Sequence, residues 1–403
     1  MSDQFGVAGH INDAGNIIAV GAPGISSTTT GNSSGGGYVY VYSYNDTTDT
    51  WDILGDYDDY KPYIFYYEET SYGFSTAFGS SVRLSGSGYV LAISELGSVG
   101  ENESTITNVD NIEHSGNIYV YEYDSTSWIL KHKIERVWGI QNYALSLTND
   151  GSTVAFARSH SPSQYFSTFY AAVEIYQVAD ASYTQVGGNI YPGEDVISNL
   201  AMNDSGTIIA LGEKEWDNNK GRVQVYEYQD SSWVNVYTVN GVDDNDYFGF
   251  SVDLNSEGTV LSAGGHYANY VELHRYISGE WQLYTADVIT APNDASYKYS
   301  SEFGKKISLN NSGSLIAIAN PGTIHNYVAV YDNLYLSTLN NYLSGVSMED
   351  IIITNEDGTV YEIDEITLIN ETLMIWEVSF FASTTTAIAV SYTHLTLPTI
   401  YSV

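Results

Sequence analysis

The chain has 403 residues, 43% of them apolar, and a formal net charge of −36 from 13 basic and 49 acidic residues. So negative a chain repels a phosphate backbone or an anionic membrane surface, which argues against nucleic acid as a partner. Cysteine is absent, which removes disulfides, thiolate metal sites and thiol nucleophiles, and 36 Gly with 37 Tyr beside only 7 Pro point to many short strands and turns.

The start, Met1-Ser2-Asp3-Gln4-Phe5, has neither the basic end nor the apolar stretch of a signal peptide, so the amino terminus is expected to be cytosolic or cut. No apolar run is long enough to cross a membrane as a helix, and no membrane insertion is expected of this stretch of chain. Six Asn-x-Ser/Thr sequons, starting at Asn32, Asn45, Asn102, Asn203, Asn310 and Asn370, are weak pointers to export.

One pattern then recurs six times. It is clearest from Phe248 to Gly264: a Phe-Gly start, alternating apolar residues (Val252, Leu254), a polar turn ending in Gly258 and a second apolar run (Val260, Leu261, Ala263). The turn glycines are Gly15, Gly88, Gly151, Gly206, Gly258 and Gly313, spaced 52 to 73 residues apart, close to the length of a four-stranded propeller blade. The two longest steps hold Tyr-, Ser-, Asp- and Glu-rich stretches around Asp56–Ser75 and Leu96–His114, which read as surface insertions.

The Phe-Gly pair opens four repeats, at Phe5-Gly6, Phe78-Gly79, Phe248-Gly249 and Phe303-Gly304; Gln141-Asn142 and Val196-Ile197 stand there in the other two. A Phe followed by Gly suits an aromatic plug beside a close backbone approach. Past each turn Gly comes a small residue among bulky ones (Ala19, Ala92, Ala155, Ala210, Ser262, Ala317), as expected where strands crowd around a common axis. A third strand alternates with period two, from Tyr38-Val39-Tyr40-Val41 to Val328-Ala329-Val330-Tyr331, and an aromatic (Trp51, Trp128, Tyr183, Trp233, Trp281) marks a fourth, outer strand in five repeats.

These units predict an all-β chain, a β-propeller of four-stranded antiparallel blades with six recognisable repeats over residues 1–332. Residues 333–389 hold a hairpin candidate at Ile351–Ile363 turning at Asn355-Glu356-Asp357-Gly358, and read as a degenerate seventh blade or the start of a further β module. Residues 390–403, with Val390-Ser391-Tyr392-Thr393-His394-Leu395, resemble a translated sequencing adapter and are expected to be a non-native tail.

The Phe-Gly start, the turn Gly and Ala19-Val20-Gly21-Ala22-Pro23 together resemble the FG-GAP repeat family, known from the propeller head of integrin α subunits. The resemblance implies extracellular adhesion or recognition by a propeller. Many members bind Ca²⁺ in an Asp-rich loop within this hairpin, but here the loop is short: Asn149-Asp150-Gly151 and Asn203-Asp204-Ser205-Gly206 offer one carboxylate each and Asn310-Asn311-Ser312-Gly313 none, so no calcium site is carried over.

No catalytic, cofactor-binding or metal-ligating residue is singled out. Asp243, Asp244 and Asp246 form the densest acidic cluster, read as a solvated interblade loop rather than a Ca²⁺ site. His10 and His274 occupy strand positions and read as packed or surface residues; no glycine elbow frames a Ser, and no carboxylate pair stands out as a glycosidase would need. The Tyr-rich stretch from Tyr57 to Tyr67 offers rigid amphipathic contacts for recognition. The expectation is a non-enzymatic recognition or adhesion propeller, extracellular or on a cell surface, with a protein or carbohydrate partner. A polysaccharide hydrolase or lyase and a structural scaffold are the alternatives.

Overall fold

The computed structural model describes residues 4–23, 37–55, 65–66, 77–96, 115–138, 140–160, 170–179, 182–193, 196–290, 302–321 and 326–332, with the backbone of four short strands beyond. The fold is an all-β propeller of six blades, and among the described residues the one helical segment is a single irregular turn, Trp216–Asn219. Each blade is an antiparallel meander in chain order.

Blade 1 comprises β1 (Ala8–Ile11), β2 (Ile17–Ala22), β3 (Tyr38–Asn45) and β4 (Thr50–Ile53), with β5 (Phe65–Tyr66) also paired on β3. Blade 2 is β6 (Ala77–Leu84), β7 (Val90–Leu96), β8 (Ser115–Tyr123) and β9 (Trp128–Trp138); blade 3 is β10 (Ile140–Leu147), β11 (Thr153–His160), β12 (Tyr170–Ala179) and β13 (Ser182–Gln185). Blade 4 is β14 (Asn199–Met202), β15 (Ile208–Glu213), β16 (Arg222–Gln229) and β17 (Ser232–Asn240); blade 5 is β18 (Phe248–Leu254), β19 (Val260–Gly265), β20 (Tyr270–Ile277) and β21 (Glu280–Thr290). Blade 6 shows β22 (Lys306–Leu309), β23 (Leu315–Pro321) and β24 (Asn326–Asp332); its fourth strand would fall outside the described residues.

After residue 352 two hairpins follow, Ile353–Thr354 with Val360–Tyr361 and Ile363–Asn370 with Ile375–Phe380. The turn expected at Asn355–Gly358 lies outside the described residues. The rest of residues 333–389, where a seventh blade or further module is expected, and the adapter-like tail lie outside the described residues.

The turns form because one side chain caps each of them. Asn12 Oδ1 accepts the amides of Asn16 and Ile17 at 2.9 Å. Asn203 and Asn255 repeat this, while the Ser85 and Thr148 hydroxyls accept from Val90 and Thr153 in blades 2 and 3. Neighbouring turns also join through backbone, as Asp13 N–H donates to Gly86 O, Gly86 N–H to Asn149 O, and Ser256 N–H to Asn311 O, at 2.8–3.2 Å.

Five hydrophobic clusters hold the blades together, each built from two consecutive blades. Between blades 4 and 5, Ala210, Val223 and Val225 meet Phe248, Val252, Leu254 and Leu261. Both faces of a blade are therefore apolar, and the recurring small residue is explained: Ala210 lies where the next blade's first strand crosses it.

The Phe-Gly motif acts as expected in blades 2, 5 and 6, where Phe78, Phe248 and Phe303 are fully buried against the preceding blade. Gly249 has φ +80°, open to glycine alone without strain, and shifts the register between Phe248 and Ser251. Its carbonyl lies so close to Gly212 of blade 4 that a Cβ there would meet it at 1.9 Å. In blade 4, which lacks the motif, Ile197 is the buried plug. Outer-strand aromatics also reach back one blade: Trp128 Nε1 donates to Leu54 O at 2.9 Å, Trp233 Nε1 to Val186 O at 3.0 Å, and Trp281 stacks on Tyr237.

Blade 1 and blade 6 depart from this rule at their facing ends. Val328 and Val330 are 66% exposed, whereas the matching Val39, Val41, Val223, Val225, Val271 and Leu273 are fully buried. Phe5 is 52% exposed, Trp51 packs on its own blade's Tyr44, and no atom lies within 4 Å of a Cβ at Gly6 or Gly15. The cause is common to all of them: among the described residues, no blade lies behind blade 1 or in front of blade 6.

Two outcomes follow for stability in urea. Gly212→Ala puts a methyl into the Gly249 carbonyl and is expected to cost about 3 kcal/mol or more. Val225→Asn is expected to cost a similar amount by burying an unsatisfied amide, and Val330→Asn less than about 0.5 kcal/mol. Equal losses at positions 225 and 330 would show that blade 6's outer face is covered in solution.

Candidate recognition face

Opposite the turn ring, three connections of blades 4 and 5 lock into one surface. The β15–β16 connection carries Asp217, Asn218 and Asn219 at φ 44–62°, residue types that tolerate the left-handed region through local hydrogen bonds. The blade 4 to blade 5 connection docks on it: Asn245 N–H donates to Asn218 O at 3.2 Å, Tyr247 N–H to Asn219 O at 2.8 Å and Phe248 N–H to Lys220 O at 2.9 Å. Lys220 ties both loops together, at 2.8 Å from Asp217 and 3.8 Å from Asp244. The β19–β20 connection follows, with Tyr267 N–H donating to Asp246 O at 3.2 Å.

Tyr247 is itself left-handed, with φ 54°. A bulky residue there carries about 1–3 kcal/mol of strain, which persists only where surrounding bonds over-determine it. The strain aims the Tyr247 ring into an aromatic group. His266 stacks on Tyr267 with centroids 4.1 Å apart, and lies 5.1 Å from Phe250 and 6.3 Å from Tyr247. These four residues are half-buried. The Lys214 ammonium sits 5.4 Å from the Phe250 centroid and the Arg222 guanidinium 5.3 Å from that of Trp216.

Glu302, at the start of blade 6, completes the group. Its Oε1 lies 2.9 Å from His266 Nε2 and 2.9 Å from Lys305 Nζ. Burial opposes its ionisation, but the hydrogen bonds from His266 and Lys305, with the Lys305 charge, prevail and hold its carboxyl below the usual range. An acid so held accepts hydrogen bonds well and donates a proton poorly.

Beneath the face lies a buried ionic clamp. Glu213, with no exposed side chain, is bound by Arg222 through Nε and, at 3.2 Å, through Nη2. Gln224 Nε2 donates to the same carboxylate at 2.7 Å, and Arg222 Nη2 also donates to Pro192 O at 2.9 Å. Blade 3 repeats the device with Arg158 and Glu174 (2.5 Å), and in blade 5 His274 Nε2 lies in hydrogen-bond contact with Glu272 (3.0 Å). In blade 2, Glu95 accepts from Tyr119 OH at 2.7 Å.

The sequence-level readings resolve unevenly. Asp243, Asp244 and Asp246 do not converge: the first two are exposed and Asp246 is buried beneath Tyr267. Among the described residues no group of three or more His, Asp or Glu is placed to hold a metal ion. His274 is fully buried between Tyr237 OH at 2.9 Å and Glu272, a packed residue as expected. His10 is also packed, its Nδ1 accepting the Leu84 amide at 3.2 Å. The Tyr57–Tyr67 stretch lies outside the described residues except for the Phe65–Tyr66 strand. Sequence reasoning missed the aromatic face and the clamps. For the clamps a signal existed, since Glu95, Arg158 and Glu213 share the seventh position after the turn glycine.

Comparison with known proteins yields fold likeness only. No family profile and no curated protein matches the chain. Sqt1 from Chaetomium thermophilum is 13% identical, with a TM-score of 0.49 over 94% of this chain and 80% of that one. A protein of unknown function from Desulfotomaculum acetoxidans is 10% identical, with a TM-score of 0.48 over 80% of this chain and 81% of that one. The periplasmic gluconolactonase of Pseudomonas aeruginosa is 12% identical, with a TM-score of 0.45 over 88% and 87%. At such identities no activity is transferred.

The clamp yields a stability test. Arg222→Met leaves the Glu213 carboxylate buried and uncompensated, an expected loss of about 3–5 kcal/mol in urea denaturation. Arg222→Met with Glu213→Gln is expected to recover most of it. Failure of the double variant to recover would mean that the arginine acts mainly through packing.

Proposed function

We propose that this chain is a non-enzymatic recognition propeller of the FG-GAP type, which takes a carbohydrate or protein ligand on the face formed by Tyr247, Phe250, His266, Tyr267, Glu302 and Lys305. The observation that carries the reading is the fixed aromatic group with an ionised acid and an amine at its edge. Open aromatic faces stack on sugar rings or apolar side chains, and the charged pair bonds to hydroxyls or amides. Rigid loops reduce the ordering entropy lost on binding. The FG-GAP assignment draws support from the positive φ of Gly6, Gly79, Gly249 and Gly304, the glycine-specific feature of the motif. Such a role fits a protein exported to, or displayed on, a cell surface.

A glycan and protein array on the whole chain tests this. Retention of a ligand without cleavage is the expected result, and Tyr267→Ala is expected to weaken it at least tenfold, about 1.4 kcal/mol, with an unchanged urea midpoint. Turnover of a polysaccharide would replace this reading with a hydrolase or lyase, and ligand retained equally by Tyr267→Ala would move the site elsewhere.

A further inference from the structure

Two of the chain's 13 basic residues, Arg83 and Lys306, stand near the axis of the propeller. His10, Arg83, Ser146, Ala201, Asp253 and Ser308 occupy one register position, opposite the small residues Ala19, Ala92, Ala155, Ala210, Ser262 and Ala317. They therefore stand at one level around the centre. A first strand has no partner on its inner edge, so its amides there need other acceptors. Side chains at this level supply them: His10 accepts from Leu84 N–H, and Asp253 Oδ2 from Leu309 N–H at 2.8 Å.

Arg83 does something different. Its Nη1 donates to Val82 O at 2.9 Å, the one hydrogen bond its side chain makes among the described residues, so most of the donors of its guanidinium are uncommitted. Ser146, Ala201 and Ser308 are short and leave space at the same level. Arg83 reaches far enough over the axis to interact electrostatically with Asp253 of blade 5, His10 of blade 1 and Lys306 of blade 6. Lys306 lies two residues before Ser308, on the same face of β22.

Several groups at this level are shifted by desolvation and by one another's charge. Burial, then the charge of Arg83, pulls His10 down to about 3, so it is neutral. Burial, then Arg83 and Lys305, bring Lys306 down to about 8. Burial pushes Asp253 up to about 6, against the pull of backbone amides and Arg83. Among the described residues Arg83 and Lys306 thus stand near the carboxylate of Asp253, in a chain with 13 basic residues against 49 acidic. At the turn end, Asp13 and Asp204 interact across the ring and present negative charge. An anion would enter from the opposite mouth, on the Lys306 side.

We propose that the axial channel at Arg83 is a binding site for a compact oxyanion, the carboxylate or phosphate group of a small ligand, held by the guanidinium of Arg83 and the ammonium of Lys306. The planar fork of Arg83 matches two oxygens of either group, and Lys306 adds a point charge. Asp253 competes for the same guanidinium and sets the affinity. The site is separate from the aromatic recognition face and does not depend on it.

The test is calorimetry and thermal unfolding of the whole chain with inorganic phosphate and with acetate, each against chloride at matched ionic strength. Saturable binding of at least one of them is expected, with a rise in Tm; phosphate alone assigns a phosphoryl ligand, acetate alone a carboxylate. Lys306→Met and Arg83→Gln are each expected to weaken binding at least tenfold, and Asp253→Asn, which keeps an acceptor for Leu309 N–H, to strengthen it. If Arg83→Gln fails to fold, Lys306→Met and Asp253→Asn decide. No saturable binding of either anion, unchanged affinity in Lys306→Met, or weaker binding in Asp253→Asn would overturn the site.

Discussion

Each blade of this protein is a single sheet with two apolar faces, and only another blade excludes water from them. That constraint accounts for the repeat. A first strand must lie across the neighbour's second strand, so the second strand carries Ala or Ser where the crossing occurs. The neighbour's backbone must come within contact of Gly212 or Gly21, so a side chain there is not tolerated. The aromatic plug and the outer-strand tryptophans then fill the wider part of the wedge. No blade in this arrangement has a core of its own, and stability is shared between nearest neighbours.

The same constraint leaves the connections between strands free of blade-to-blade packing. Connections on the proposed recognition face run outside the sheets, yet those of blades 4 and 5 are bound to one another by backbone hydrogen bonds, and they carry strain at Tyr247 and Asn245. Strain held by a rigid frame positions side chains that a flexible loop would leave to thermal motion. Buried clamps such as Arg222–Glu213 fix the strand ends from which these loops spring.

Charge is distributed against this frame with a pattern that composition conceals. A net charge of −36 gives the chain a large acidic excess, a source of self-repulsion. Near the axis, among the described residues, Arg83 interacts electrostatically with both Lys306 and Asp253. Sparse basic residues therefore matter individually, because few of them are available to offset so much carboxylate and each is placed by the repeat register.

What the sequence by itself determined was the blade. The turn glycines, the Phe-Gly pairs and the period-two strands each encode a local geometry, and six copies leave little freedom in how the sheets must cover one another. Local chemistry was enough for this, since positive φ, capping and alternation act within a few residues. Phe5 shows the limit: it has the motif of Phe78, but it is exposed because burial depends on a neighbour that a motif cannot specify. The recognition face and the axial cluster were decided only by tertiary structure. Tyr247, His266 and Glu302 come from three separate connections, and His10, Arg83, Asp253 and Lys306 from four blades. Their meeting follows from the angle and register at which whole blades pack, and no spacing along the chain records it.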